Sequence, residues 1–123
     1  MDLNNQKILV ADDDEAIQIC IEDIAQLEGW SVVFASDGEE CVAKLRTENP
    51  RLLVLDQRMP KMTGEEILRM LDQINPTIPV IVITAERDAE HLKDVSPQVS
   101  MLLRKPFDLE NFINAVNGIL GRS

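Results

Sequence analysis

The chain has 123 residues, 12 of them Lys or Arg and 22 Asp or Glu, for a formal net charge of −10. Apolar residues make up 45%, which excludes a disordered polyanion, and the length suits one domain, not two. The charge repels nucleic acid and anionic lipid as direct partners and favours a cation.

Ile8-Leu9-Val10-Ala11 predicts a first strand. Residues 14–28 then place Ile17, Cys20, Ile21, Ile24 and Leu27 at three- and four-residue spacing, which is a helical stripe, and Gly29 stops it. Val32-Val33-Phe34-Ala35 predicts a second strand; residues 37–48, with Val42 and Leu45 on one side, predict a helix that Asn49-Pro50 ends. Leu52-Leu53-Val54-Leu55 follows as a third strand, and residues 64–74 carry Ile67, Leu68, Met70 and Leu71 before Asn75-Pro76. Val80-Ile81-Val82-Ile83 predicts a fourth strand. Residues 86–95 then predict the thinnest helix, with Ala85, Ala89, Leu92 and Val95 set among charges and the exposed His91; Pro97 requires it to end by Val95. Met101-Leu102-Leu103 is the fifth strand, and residues 108–120 place Phe112, Val116, Ile119 and Leu120 on a helix that Asp108 caps. No strand alternates apolar with polar, so each predicts coverage on both faces. Trp30, at the start of the second strand, reads as a packing residue.

Strict strand–helix alternation predicts an α/β fold with a parallel sheet, right-handed crossovers and helices on both faces. The first six residues lack the cationic stretch and apolar core of a secretory leader. No apolar run approaches the ~20 residues of a membrane span. Cys20 and Cys41 fall within helical patterns and read as small thiols in a reducing, cytoplasmic setting.

Open α/β sheets bind ligands at the carboxyl ends of their strands. The first strand ends in Asp12-Asp13-Asp14, the third in Asp56, the fourth in Thr84-Ala85 and the fifth in Arg104-Lys105-Pro106-Phe107. Carboxylates a few ångströms apart repel by roughly 4 kcal/mol per pair at an effective dielectric near 20. Either one takes up a proton or a cation sits among them, and Mg²⁺, a hard divalent ion with open positions for phosphate oxygens, suits the oxygen ligands. With an ammonium from Lys105 and a hydroxyl from Thr84, the edge reads as a pocket for a phosphoryl group, in which one carboxylate can itself be the nucleophile. Asp14 reads as a helix N-cap.

The series Ile8-Leu9-Val10-Ala11-Asp12-Asp13-Asp14, Leu53-Val54-Leu55-Asp56 with Met59-Pro60 and Gly64, Ile83-Thr84-Ala85 and Lys105-Pro106-Phe107 resembles the receiver domain of two-component response regulators. The resemblance covers about residues 5–120 and implies one receiver domain over 1–123, with a flavodoxin-like, doubly wound (βα)5 fold and a five-stranded parallel sheet of order 2-1-3-4-5. It implies that Asp56 is the phosphoacceptor, served by a sensor histidine kinase or a phosphotransfer protein. It implies that Asp13 and Asp56 ligate Mg²⁺ directly, Asp12 largely through water, and Arg58 through its main-chain carbonyl. Lys105 would pair with the phosphoryl oxygens, Thr84 would swing toward them, and Ala85 would offer a backbone N–H. The Lys105–Pro106 bond would be cis. Phosphorylation would switch an output surface read by a downstream protein or by an output domain outside this chain.

The sequence departs from the family pattern in places. Leu102 stands three residues before Lys105, where many members carry Tyr or Phe. Activation is therefore expected to travel by displacement of Thr84 and movement of the loop after the fourth strand. The short fourth helix and the irregular run Val95-Ser96-Pro97-Gln98-Val99-Ser100 predict an atypical output face. Arg58 and Glu86, each two residues beyond a site residue, are placed to pair and shield an acyl phosphate. Among other functions, an Asp-nucleophile phosphohydrolase would want a second Asp where Arg58 stands. A flavodoxin-type cofactor carrier would want a Ser/Thr/Gly-rich loop where the acidic triplet stands. A receiver-like module that is never phosphorylated would not need Asp12, Asp13, Asp56 and Lys105 together.

Overall fold

A computed structural model describes residues 7–121; the first six and the last two residues, and with them the reading of residues 1–6 made above, lie outside the described residues. Among the described residues the elements alternate as expected: β1 (Lys7–Ala11), α1 (Glu15–Glu28), β2 (Ser31–Ala35), α2 (Gly38–Thr47), β3 (Leu52–Asp56), α3 (Gly64–Ile74), β4 (Val80–Thr84), α4 (Leu92–Val95), β5 (Val99–Arg104) and α5 (Leu109–Leu120). Every strand pair is parallel, and the order is β2-β1-β3-β4-β5.

This order places β1, β3 and β4 inside the sheet, and their continuous apolar runs are buried on both faces. One face buries Leu9, Leu53, Leu55 and Val82 against Cys41, Leu45, Ile67, Leu71 and Leu92 from α2, α3 and α4. The other buries Ile8, Val10, Val54, Ile81 and Ile83 against Ile21, Ile24, Phe112, Val116 and Leu120 from α1 and α5. Trp30 packs edge-on to Phe112 and donates from Nε1 to Asn117 Oδ1 at 2.9 Å, at the end of the sheet away from the acidic residues.

Three expectations change. β2 and β5 are only partly covered, because they are edge strands and an apolar run does not distinguish an edge from a centre. Leu27 is 86% exposed, since it lies roughly 120° around α1 from Ile21. The helix expected over 86–95 is a single turn, Leu92–Val95, preceded by bonds of the tighter i to i+3 kind from Leu92 to Ala89, Lys93 to Glu90 and Asp94 to His91. Only Ala89 and Leu92 are buried there and Ala85 is exposed, so too little apolar surface exists to fix a longer helix. No described helix is long and apolar enough to cross a membrane.

Candidate functional site

The parallel topology brings the expected residues to one edge. Asp12 follows β1 and is fully buried. Its N–H donates to the Ala35 carbonyl at 3.0 Å, its carbonyl accepts from Gln18 Nε2 at 2.6 Å, and its Oδ1 accepts from the Asp14 N–H at 2.9 Å. Asp14 caps α1, its side chain accepting from the Ala16 N–H at 2.9 Å. That cap turns Asp13 out to solvent beside the buried Asp12.

Asp56 closes β3 with 6% exposure. Oδ1 accepts from the Arg58 N–H and Oδ2 from Lys105 Nζ, both at 3.3 Å. The loop behind it is held at backbone distance. The Gly64 N–H donates to the Gln57 carbonyl at 2.9 Å, and a Cβ on Gly64 would lie 2.8 Å from the Asp56 carbonyl oxygen and 2.9 Å from Gln57 Cα. A Cβ on Gly38 would lie 2.3 Å from Met62 Cβ, so both glycines are required by close approach. A capping box between Thr63 and Glu66 starts α3, and Gln57 Oε1 accepts the Glu65 N–H at 2.8 Å. Lys61 sits at φ 73° and reaches Asp37 Oδ2 at 3.6 Å.

Thr84 ends β4 and is buried. Its hydroxyl accepts from the Glu86 N–H at 3.0 Å, and its carbonyl accepts from the Lys105 N–H at 2.7 Å. Ala85 is exposed at the rim beside it. Lys105, with a cis bond to Pro106, brings Nζ to 2.9 Å from Asp12 Oδ2, an ion pair whose angle falls outside hydrogen-bond geometry.

Ligand oxygens of Asp12, Asp13 and Asp56 lie within 4.8 Å of one another. Burial, then the charge of Asp12, pushes the Asp56 carboxyl up to about 6, against Lys105 and the Arg58 N–H, which pull it down. Burial draws the Lys105 ammonium down, but Asp12 and Asp56 together outweigh it and hold it above its ordinary value. Three carboxylates thus face one ammonium. The buried Asp12 Oδ2, without a hydrogen bond, and the all-oxygen donor set fit a hard divalent cation such as Mg²⁺.

The expected Arg58–Glu86 pair is present: Arg58 Nε donates to Glu86 Oε1 although Arg58 is 82% exposed. Several partners were not foreseen. Gln18 holds the Asp12 carbonyl, and Gln57 caps α3. Arg104 Nη1 donates to the Glu86 carbonyl, and its Nη2 donates to Glu90 Oε1 at 3.3 Å. His91 is exposed, as expected, and also engaged. Its Nε2 lies 2.9 Å from Glu65 Oε1, and its Nδ1 lies 2.8 Å from the Asp88 carbonyl oxygen. Arg104, next to Lys105 at a strand end, is the one of these that its position could have flagged. Leu102 is half-buried and packs against the α2–α3–α4 side of the core.

The family model described as the response regulator receiver domain matches residues 8–117. The alkaline phosphatase synthesis transcriptional regulatory protein PhoP of Bacillus subtilis is 37% identical over 121 residues, covering 97% of this chain and 50% of PhoP. The chain spans about half the length of the curated relatives it matches. The structure of the Francisella response regulator 1452 receiver domain aligns with a TM-score of 0.85 and 31% identity over 95% of this chain and 98% of that one. The response regulator TrrA of Thermotoga maritima, solved in complex with Mg²⁺ and BeF, shares the fold with a TM-score of 0.81 and 24% identity, over 93% of this chain and 98% of that one.

Proposed function

The chain belongs to the response regulator receiver domains, and from that premise we propose that Asp56 takes a phosphoryl group from a phosphohistidine donor, either a sensor histidine kinase or a phosphotransfer protein. One observation carries the choice of carboxylate. Asp56 alone ends a strand at the mouth and meets Lys105, the Arg58 N–H and the acidic pair together. Asp12 is sealed in, and Asp13 is on the rim. Asp13 and Asp56 would hold Mg²⁺ directly, Asp12 largely through water, and Arg58 by its main-chain carbonyl. When bound, the ion offsets the charge between the attacking carboxylate and the phosphoryl oxygens.

An Asp56 oxygen attacks phosphorus. The phosphorus–nitrogen bond of the donor breaks, and the imidazole leaves with the electron pair. Lys105 neutralises the incoming oxygens, while the Thr84 hydroxyl and the Ala85 N–H donate to them. Arg58, two residues beyond Asp56, supplies no proton to a leaving group, which disfavours a phosphohydrolase. The domain thus acts as a cytoplasmic switch that assists its own phosphoryl transfer. It would be a single receiver domain, read by a downstream protein or by an output domain outside this chain. PhoP, twice as long, is named a transcriptional regulator. In a protein of that kind DNA contact would fall to a separate domain, since a charge of −10 repels nucleic acid here. Mg²⁺-dependent phosphoryl uptake from acetyl phosphate, with Asp56→Asn as control, tests the proposal.

A further inference from the structure

Glu86 is held at three groups from three directions. Its N–H donates to Thr84 Oγ1 at 3.0 Å, its carboxylate accepts from Arg58 Nε, and its carbonyl accepts from Arg104 Nη1. Residues 85–91 have no helical ladder, so regular backbone bonding does not fix where Glu86 sits. Arg104 does. It ends β5 opposite Thr84 in the register, and its second nitrogen engages Glu90 Oε1 at 3.3 Å, which straps the segment at two points. Arg58, anchored by Glu86, in turn bridges from the end of β3 to the end of β4. Those two strands are neighbours, and the bridge spans the strand ends beside Asp56, the last residue of β3.

We propose that Arg104 is a positioning residue for the lifetime of the phosphorylated state. Acting through Glu86, it keeps the Arg58 side chain across the mouth and slows hydrolysis of the acyl phosphate. The inference rests on Asp56 as phosphoacceptor. In the step it controls, water attacks phosphorus, the bond from phosphorus to the Asp56 oxygen breaks, and the carboxylate leaves with the electron pair as inorganic phosphate departs. Arg104 touches none of the reacting atoms and none of the carboxylates that would hold the metal, so its removal acts on the decay of the phosphate.

The experiment phosphorylates the protein with acetyl phosphate and Mg²⁺, removes the donor, and follows loss of the phosphoryl mass. Arg104→Met is expected to shorten the half-life by roughly two- to fivefold, the scale set by an exposed ion-pair network. Arg104→Lys, which keeps a donor for the Glu86 carbonyl, should recover most of the loss, a rescue that a general loss of stability would not give. Combining Arg104→Met with Glu86→Gln should shorten the half-life no further than the stronger single change. An unchanged half-life in Arg104→Met, or single effects that multiply in the double variant, would overturn the inference and leave the phosphoacceptor reading intact. A wild-type chain that takes up no phosphoryl group would overturn both.

Discussion

Two loops leave the same sheet edge from neighbouring strands, and they are held in opposite ways. The β3–α3 loop is closed by backbone contact. Gly64 lies against Asp56 and Gln57, Gly38 lies against Met62, and a full capping box starts α3. The β4–α4 segment is held by side chains, with Arg104 on Glu86 and Glu90, Arg58 on Glu86 and His91 on Glu65. Packed backbone has no cheap alternative arrangement, whereas exposed ion pairs can be exchanged at small free-energy cost. The loop that would carry the phosphoacceptor and the metal-binding carbonyl is therefore rigid. The segment that follows Thr84 is built to be re-arranged.

The largest effect should come from breaking the rigid side. Gly64→Ala would set a Cβ within 2.8 Å of the Asp56 carbonyl oxygen and should destabilise the fold by on the order of 2–4 kcal/mol, measured by urea unfolding. A smaller change, of opposite sign, is expected where the rigid loop meets its own charge. The folded pKa of Asp56, about 6, lies above the ordinary 3.8. The stabilising contribution of its protonated form is thus fully present below pH 3.8 and is lost as the pH rises through about 6. Asp56→Asn should then stabilise the metal-free protein above pH 7 by on the order of 2 kcal/mol, with no gain near pH 4. Mg²⁺ should narrow the difference. Equal unfolding curves at both pH values would contradict this picture of crowded carboxylates.

The smallest effect should lie on the pliant side. The hydrogen bond that His91 Nε2 donates to Glu65 Oε1 holds His91 above 6.5 and Glu65 below 4.5. The histidine contribution is fully present below pH 6.5 and is lost as the pH rises through its raised folded value. The glutamate contribution is present above pH 4.5 and is lost as the pH falls. The link is therefore strongest between about pH 4.5 and 6.5. Titration of the His91 imidazole by NMR should give a midpoint above 6.5 that drops in Glu65→Gln, while urea unfolding changes far less than in Gly64→Ala. A midpoint that Glu65→Gln does not move would remove this tie from the comparison.

The rigid side was also the side most readable from sequence. β1, β3 and β4 are apolar throughout because both their faces are covered, and Asp12, Asp13, Asp56 and Thr84 are conspicuous because each stands where such a run ends; Lys105 stands just past the end of the edge strand β5. The Arg58–Glu86 pair could be inferred, since both residues sit two beyond a strand end. The rest depended on distant polar partners. Nothing near Gln57 in sequence says that its side-chain Oε1 accepts from the first turn of α3, and Glu65 and His91 are 26 residues apart. The contraction of α4 to Leu92–Val95 depended on how little of the 86–95 stripe finds a partner, which only the packed structure decides. Leu102, where an aromatic ring was noted as missing, packs half-buried into the core side that holds α4. The site meets the end of β5 through Lys105, whose N–H donates to the Thr84 carbonyl, and through the polar ties of Arg104 to Glu86.

The central claim is that the acidic edge takes one phosphoryl group on Asp56 with the help of a divalent ion. Intact-mass measurement after incubation with acetyl phosphate and Mg²⁺ tests it most directly. The wild type should gain the mass of one phosphoryl group, a gain that is lost when Mg²⁺ is chelated beforehand and absent in Asp56→Asn. No gain in the wild type, or the same gain in Asp56→Asn, would contradict it.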